Sequence, residues 1–78
     1  MPTIDYFDGI SINIYYGEHV PPHVHALYNG FEALIEIESK DLYAGYLPAK
    51  QLKKVVRWLQ ENEDEALEIF YQFNEKLR

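Results

Sequence analysis

The sequence predicts an α+β domain in which an antiparallel β-meander of three to five strands precedes two α-helices packed on one sheet face. Two observations predict this fold. Apolar residues alternate with polar ones in the first half of the chain, and they recur at helical spacing in the second half. Strands that come first and helices that come second favour α+β over alternating α/β. With 78 residues, the chain is expected to form a single domain over 1–78.

The strands are predicted from period-two alternation and from turn dipeptides. Residues 10–16 and 31–38 carry apolar side chains at every second position. An Asp-Gly pair before the first of these segments predicts a hairpin with a short strand at 3–7. An Asn-Gly pair predicts a second hairpin, formed by 23–28 and the segment that starts at residue 31. Residues 42–47 are expected to add an edge strand.

The second half of the chain predicts two amphipathic helices. Pro48 suits the first turn of a helix, where its missing N–H is not needed. The apolar face of the first helix is Leu52, Val55, Val56 and Leu59. Asn62 followed by Glu65 resembles a capping box, which predicts the start of a second helix. The apolar face of that helix is Ala66, Phe70, Phe73 and Leu77.

Composition excludes some functions and disfavours others. The chain has no cysteine, so disulfides and thiolate metal sites are excluded. Its net charge is −6, from 13 acidic and 7 basic residues, which disfavours nucleic-acid binding and favours a basic protein partner. No apolar run reaches the roughly 20 residues that span a bilayer, so no membrane association is expected. The N-terminus lacks a signal-peptide pattern, which predicts a cytoplasmic location.

The three histidines, His19, His23 and His25, fall within seven residues and follow Glu18. On a strand, His23 and His25 would point to the same face, and a stiff Pro-Pro segment would let His19 converge on them. Three imidazoles could ligate zinc or another divalent transition metal. Alternatively, the histidines together with Glu18 could act as acid and base catalysts, for example on a phosphodiester. A structural or partner-contact role is a third interpretation, and the sequence leaves all three open.

A second candidate feature is a row of cations on the first predicted helix. These residues, at spacing i, i+3, i+4 and i+7, are Lys50, Lys53, Lys54 and Arg57. They could contact phosphates or an acidic partner. A solvated helix face is the favoured interpretation, because the chain is acidic overall.

Four motifs occur in order along the chain: Gly-Ile-x-Ile-x-x-Tyr, His-x-Pro-Pro-His-x-His-Ala-x-Tyr, Glu-Ala-x-Ile-x-Ile and Gly-x-Leu-Pro-Ala-x-x-Leu-x-x-Val-x-x-Trp. With these motifs, the sequence resembles the small bacterial family called domain of unknown function 4160. The residues that carry the distinctive part are His19, Pro21, Pro22, His23 and His25, with Gly45, Leu47, Pro48 and Trp58 downstream. Val24 and the Ile69-Phe70 pair depart from the family pattern, and neither removes a candidate functional group.

The resemblance implies no established activity, but it implies a two-gene, toxin–antitoxin-type organisation with a small cognate protein partner. The function we predict is therefore a toxin-like component with a histidine-centred site that acts on RNA. The alternatives are a non-enzymatic acidic interaction module, such as an antitoxin or inhibitor, and a small His-based metal-binding domain. An exposed sheet edge could also pair two copies into a homodimer.

Overall fold

The computed structural model describes residues 3–77, in which five antiparallel strands form one sheet. The strands lie in the sheet in chain order. They are β1 (Thr3–Phe7), β2 (Ile10–Asn13), β3 (His23–Tyr28), β4 (Phe31–Glu36) and β5 (Leu42–Gly45). The predicted meander is confirmed with five strands. Its first and third connections are two-residue turns with positive φ at both positions, as the Asp-Gly and Asn-Gly pairs predict.

The sheet is followed by one long helix, α1 (Ala49–Phe73), and a short 3₁₀ turn at Glu75–Leu77. The prediction of two helices is therefore wrong. Asn62 has φ −128° and ψ 23°, so α1 is kinked at this residue and then continues. The Asn62 side-chain amide donates to the Trp58 carbonyl at 2.8 Å, which is the acceptor that its own backbone N–H would use in a regular helix. Insertion of a side chain into the helical ladder kinks a helix without ending it.

The core lies between α1 and one face of the sheet. It is formed by apolar side chains of β2, β3 and β4 and by both apolar stripes of the helix. Its buried residues are Ile10, Ile12, Ile14, Val24, Ala26, Ala33, Ile35, Ile37, Leu47, Val55, Trp58, Leu59, Ala66 and Phe70. The Trp58 indole N–H also donates to the Asp5 carboxylate at 2.7 Å, which ties α1 to β1. The helix covers this one face, and all four residues of β5 are exposed.

Gly45 ends β5 in a conformation that only glycine fits. Its φ is +80°, and a Cβ at this position would lie 2.1 Å from the Glu32 carbonyl oxygen. The same carbonyl accepts a hydrogen bond from the Tyr46 N–H at 2.9 Å. The chain therefore leaves the sheet directly over β4, and a side chain at residue 45 would force the two strands apart.

Between residues 3 and 77, no helix combines the length and the apolar character needed to cross a membrane.

Candidate metal centre

Two histidines meet at the start of β3. His23 is the first residue of the strand, and His25 follows on the same side. Their ring centroids are 5.2 Å apart. The His23 side chain is only 2% exposed and that of His25 only 12%, so both rings lie largely away from water. The pair is therefore positioned by strand alternation and enclosed by the loop that precedes it.

Glu18 lies in that loop and reaches both rings with one carboxylate. Its Oε1 is 2.6 Å from His25 Nε2, and its Oε2 is 3.3 Å from His23 Nε2. Together the three side chains offer three ligand atoms that lie within 4.8 Å of one another. We call Glu18, His23 and His25 the Glu–His–His cluster.

The hydrogen bonding of His23 leaves one ring nitrogen without a partner. His23 Nδ1 lies 2.9 Å from the Pro21 carbonyl oxygen, which can only accept, so Nδ1 carries a proton. In the neutral ring, Nε2 then holds a free lone pair. Nε2 is buried and makes no hydrogen bond, because its 3.3 Å contact with Glu18 lacks hydrogen-bond alignment. A buried nitrogen lone pair and a carboxylate oxygen thus lie 3.3 Å apart without a proton shared between them.

His25 lies between two carboxylates. Its Nε2 contacts Glu18, and its Nδ1 is 2.8 Å from Glu32 Oε2. Glu32 is on β4, where the register pairs it with Leu27, so it is the diagonal neighbour of His25. Glu32 was not among the site residues that the sequence motifs predicted. The Asn-Gly hairpin contained the necessary signal, because a two-residue turn sets the register that places Glu32 beside His25.

Two tyrosines flank the histidine rings. The Tyr15 ring meets His25 edge-on at 4.6 Å between centroids, and the Tyr43 ring lies 5.3 Å from that of His23. Burial raises the pKa of the Tyr15 hydroxyl, and the negative charges of Glu32 and Glu18 raise it further. Burial also raises the pKa of Tyr43, with added effects of Glu18 and Glu36. Both phenols therefore stay protonated at neutral pH.

Asn74, at the end of α1, holds the loop that carries Glu18. Its side-chain oxygen accepts from the Glu18 backbone N–H at 2.7 Å, and its amide group donates to the Tyr15 carbonyl at 3.1 Å. Asn74 is itself buried. Next to this contact, Tyr16 stacks on Phe73 with ring centroids 4.4 Å apart. Nothing in the sequence near Glu18 pointed to Asn74.

The structure brings only some of the predicted site residues together. His19 is exposed and lies outside the cluster, and Glu18 supplies the third ligand atom. The four predicted phosphate-binding cations, Lys50, Lys53, Lys54 and Arg57, lie in the first half of α1. Lys54 pairs with Asp8 at 3.0 Å. The helix residue that contacts the His23 ring is Phe70. Phe70 follows Arg57 by 13 residues, which is about 20 Å along a helix, so the basic face and the cluster are separate features.

The fold and the cluster define a small α+β domain with a five-stranded meander, one covering helix and a carboxylate–histidine site at the sheet end. The family model described as "Domain of unknown function (DUF4160)" matches residues 9–70. The chain belongs to this family, which confirms the resemblance seen in its motifs. Among the curated proteins and among the solved structures, searches find no match to the chain.

Proposed function

We propose that this domain binds a divalent transition-metal ion, zinc in the first place, through Glu18, His23 and His25. The observation that carries the proposal is the buried His23 Nε2, which has no hydrogen-bond partner and lies 3.3 Å from a Glu18 oxygen. Leaving such a group unsatisfied costs about 1–3 kcal/mol. A cation between the two atoms removes that cost, because each atom then donates its lone pair to the ion.

The donor set also supports zinc. Two imidazole nitrogens and one carboxylate oxygen form a common catalytic zinc ligand set. Ligand atoms bonded to a tetrahedral zinc at about 2.0–2.1 Å lie about 3.3 Å from one another. The His23 Nε2 to Glu18 Oε2 distance is 3.3 Å, and the other ligand atoms lie within 4.8 Å. Small side-chain movements are therefore sufficient to form the site.

The hydrogen bonds of both rings support metal ligation. A metal-bound histidine usually donates its other ring N–H to a carbonyl or carboxylate, which fixes the ring orientation. His23 Nδ1 faces the Pro21 carbonyl, and His25 Nδ1 faces Glu32. In each ring, Nε2 thus lies on the side of the cluster, and Nδ1 is held by a hydrogen bond on the opposite side of the ring.

Metal content of the purified full chain tests the proposal. After incubation with zinc and gel filtration, elemental analysis is expected to find one zinc per wild-type chain. The variants Glu18→Gln and His25→Gln are expected to lose it. His19→Gln is the matched control, because His19 belongs to the same segment but lies outside the cluster, and it should bind zinc like the wild type. Wild type without zinc, or equal losses in His19→Gln and His25→Gln, would contradict the proposal.

A toxin-like activity on RNA, with His23 and His25 as acid and base, stays a second prediction. It is supported by His25, whose two ring nitrogens both contact carboxylates, an arrangement that orients an imidazole for proton transfer. The expected outcome is growth arrest on expression that His25→Gln abolishes and His19→Gln leaves intact. If both variants arrest growth as the wild type does, the catalytic prediction is wrong.

The interaction-module alternative is supported by charge and by exposed aromatics. The net charge of −6 favours a basic partner, and Tyr6, Tyr16 and Tyr46 are all more than half exposed. A stoichiometric complex with a small basic protein that survives His25→Gln would support it. A complex that requires His25 would instead connect partner binding to the cluster.

A further inference from the structure

We propose that the Glu–His–His cluster, with its metal bound, keeps an open coordination position that takes a neutral donor, such as a carbonyl or an imidazole, and disfavours phosphate. This inference rests on the metal binding proposed above. It concerns the ligand class of the site, so metal binding can hold even if the inference about the ligand fails.

The open position follows from the number of ligands. Among residues 3–77, the group that could hold an ion consists of Glu18, His23 and His25, and each contributes one atom. His19, the remaining histidine of the sequence, is exposed and lies outside this group. Zinc sites with three protein ligands keep a fourth position for water or substrate.

The charge around the cluster disfavours an anionic ligand. Glu18 is a ligand, Glu32 holds His25, and Glu36 lies opposite His23 in the β3–β4 ladder. The Glu36 charge reaches the same region, because it contributes to the raised pKa of Tyr43. An ion of charge +2 beside three carboxylates leaves one net negative charge, which repels phosphate.

The cations among residues 3–77 do not offset this charge. Lys40 pairs with Glu63, and Lys54 pairs with Asp8. Lys76 borders the same groove as Glu18, but Glu75 borders it too. Phosphate sites usually present Arg or Lys donors to the phosphate oxygens. In the part of the chain that the structure describes, no ion pair or hydrogen bond places a lysine or arginine at the cluster.

The walls of the cluster suit a neutral ligand. The rings of Tyr15 and Tyr43 stand beside His25 and His23, and each brings an apolar ring with a hydroxyl group. Phenol hydroxyls donate hydrogen bonds to carbonyl oxygens and do not add charge. A polarised, uncharged carbonyl such as a peptide amide therefore matches the site better than a phosphodiester.

The experiment uses the full chain loaded with Co²⁺, whose visible absorption reports the coordination sphere. Imidazole and orthophosphate are titrated separately in mildly alkaline buffer, and metal retention is checked by elemental analysis after gel filtration. We expect imidazole to change the cobalt spectrum and phosphate to bind at least about tenfold more weakly, because of the surrounding carboxylates. Phosphate that binds as tightly as imidazole would overturn the inference and favour an RNA-type substrate.

Two charge variants sharpen the test. Glu36→Gln is expected to strengthen phosphate binding about twofold to threefold at low ionic strength, and salt should remove the difference. Glu38→Gln is the matched control, because Glu38 is an exposed carboxylate outside the cluster, and it should change nothing. If neither probe alters the spectrum while cobalt stays stoichiometric, the site is closed and this inference fails, but metal binding stands. If cobalt does not bind, both proposals fail.

Discussion

The His23 ring contacts the rings of Tyr43 and Phe70, with centroids 5.3 Å and 5.7 Å away. Its Nδ1 donates a hydrogen bond to the Pro21 carbonyl, so Nε2 is the ring nitrogen that is left to bind a ligand. In an ordinary core, a buried nitrogen without a hydrogen bond would lower the stability of the fold by about 1–3 kcal/mol. Next to Glu18 and His25, Nε2 of His23 is a nitrogen that we propose as a metal ligand.

We predict that Glu32 is a positioning residue, which orients His25 for zinc binding. Glu32→Ala is expected to weaken zinc binding about 10-fold to 100-fold, because His25 loses the carboxylate behind its ring. The measurement is competition with a chromophoric chelator. Glu32→Gln should restore part of the affinity, because the amide oxygen can still accept from His25 Nδ1.

The control for this prediction is Glu36→Ala, which removes a carboxylate from the same strand without touching a histidine hydrogen bond. Its effect should stay below about threefold, as expected of charge alone. Equal losses for Glu32→Ala and Glu36→Ala would show that Glu32 acts through its charge and not by orienting His25.

Three pieces of chain meet around the cluster. β3 supplies the two histidines, the preceding loop supplies Glu18, and Asn74 at the end of α1 holds that loop. Asn74 satisfies backbone groups of the loop and of its own helix, because its amide group also donates to the Phe70 carbonyl at 3.1 Å. The helix end therefore acts as the anchor of the loop.

We predict that Asn74→Ala both lowers the free energy of unfolding and weakens metal binding. Loss of the buried hydrogen bonds is expected to cost about 1–3 kcal/mol, measured by urea unfolding. Zinc affinity should fall as well, because Glu18 is no longer held near the histidines. Gln72→Ala, an exposed change near the same helix end, should alter neither quantity. Unchanged zinc affinity in Asn74→Ala would show that the loop holds its position without Asn74.

Local sequence patterns were sufficient for the strands but not for the helix. Alternation and the Asp-Gly and Asn-Gly turns are short-range signals, and they predicted the meander. Asn62 followed by Glu65 carries the same local signal whether a helix begins or merely kinks. The choice depends on packing, because both apolar stripes lie against the same sheet face and one continuous helix can bury both.

The candidate site was predictable to a similar degree. The histidine-rich segment located it, and β alternation explains why His23 and His25 meet. His19 diverges because it lies before the Pro-Pro segment and outside the strand, where no period fixes its direction. Local sequence patterns could not predict the role of Asn74, because its contact with Glu18 joins residues that are 56 positions apart.

Across the molecule, the exposed cations of α1 and the carboxylates of the cluster lie in different places. Lys50, Lys53 and Arg57 lie exposed on the first half of the helix, and the acidic groups of the cluster lie near its other end. The net charge of −6 is therefore a sum over distinct surfaces and does not describe any one of them. A basic partner would be attracted to the cluster end, and an acidic one to the start of α1.

We predict that zinc stabilises the folded protein, because metal binding and folding are thermodynamically linked. A metal that binds the folded chain alone stabilises it by about 2.7 kcal/mol when the free metal concentration is one hundred times Kd. Zinc should therefore raise the unfolding midpoint of the wild type, and a chelator should reverse the rise. His25→Gln should show no zinc-dependent shift. A shift of equal size in His25→Gln would mean that the stabilising zinc binds elsewhere.

The contact between Asn74 and the Glu18 backbone has a consequence for synthesis. A ribosome makes the histidine segment before the side chain that holds the Glu18 loop, because Asn74 follows Glu18 by 56 residues. A growing chain thus carries the imidazoles long before it carries the anchor of the carboxylate. Metal capture by the Glu–His–His cluster would follow the synthesis of residue 74, and a nascent or truncated chain that ends before that residue would hold its ion only loosely.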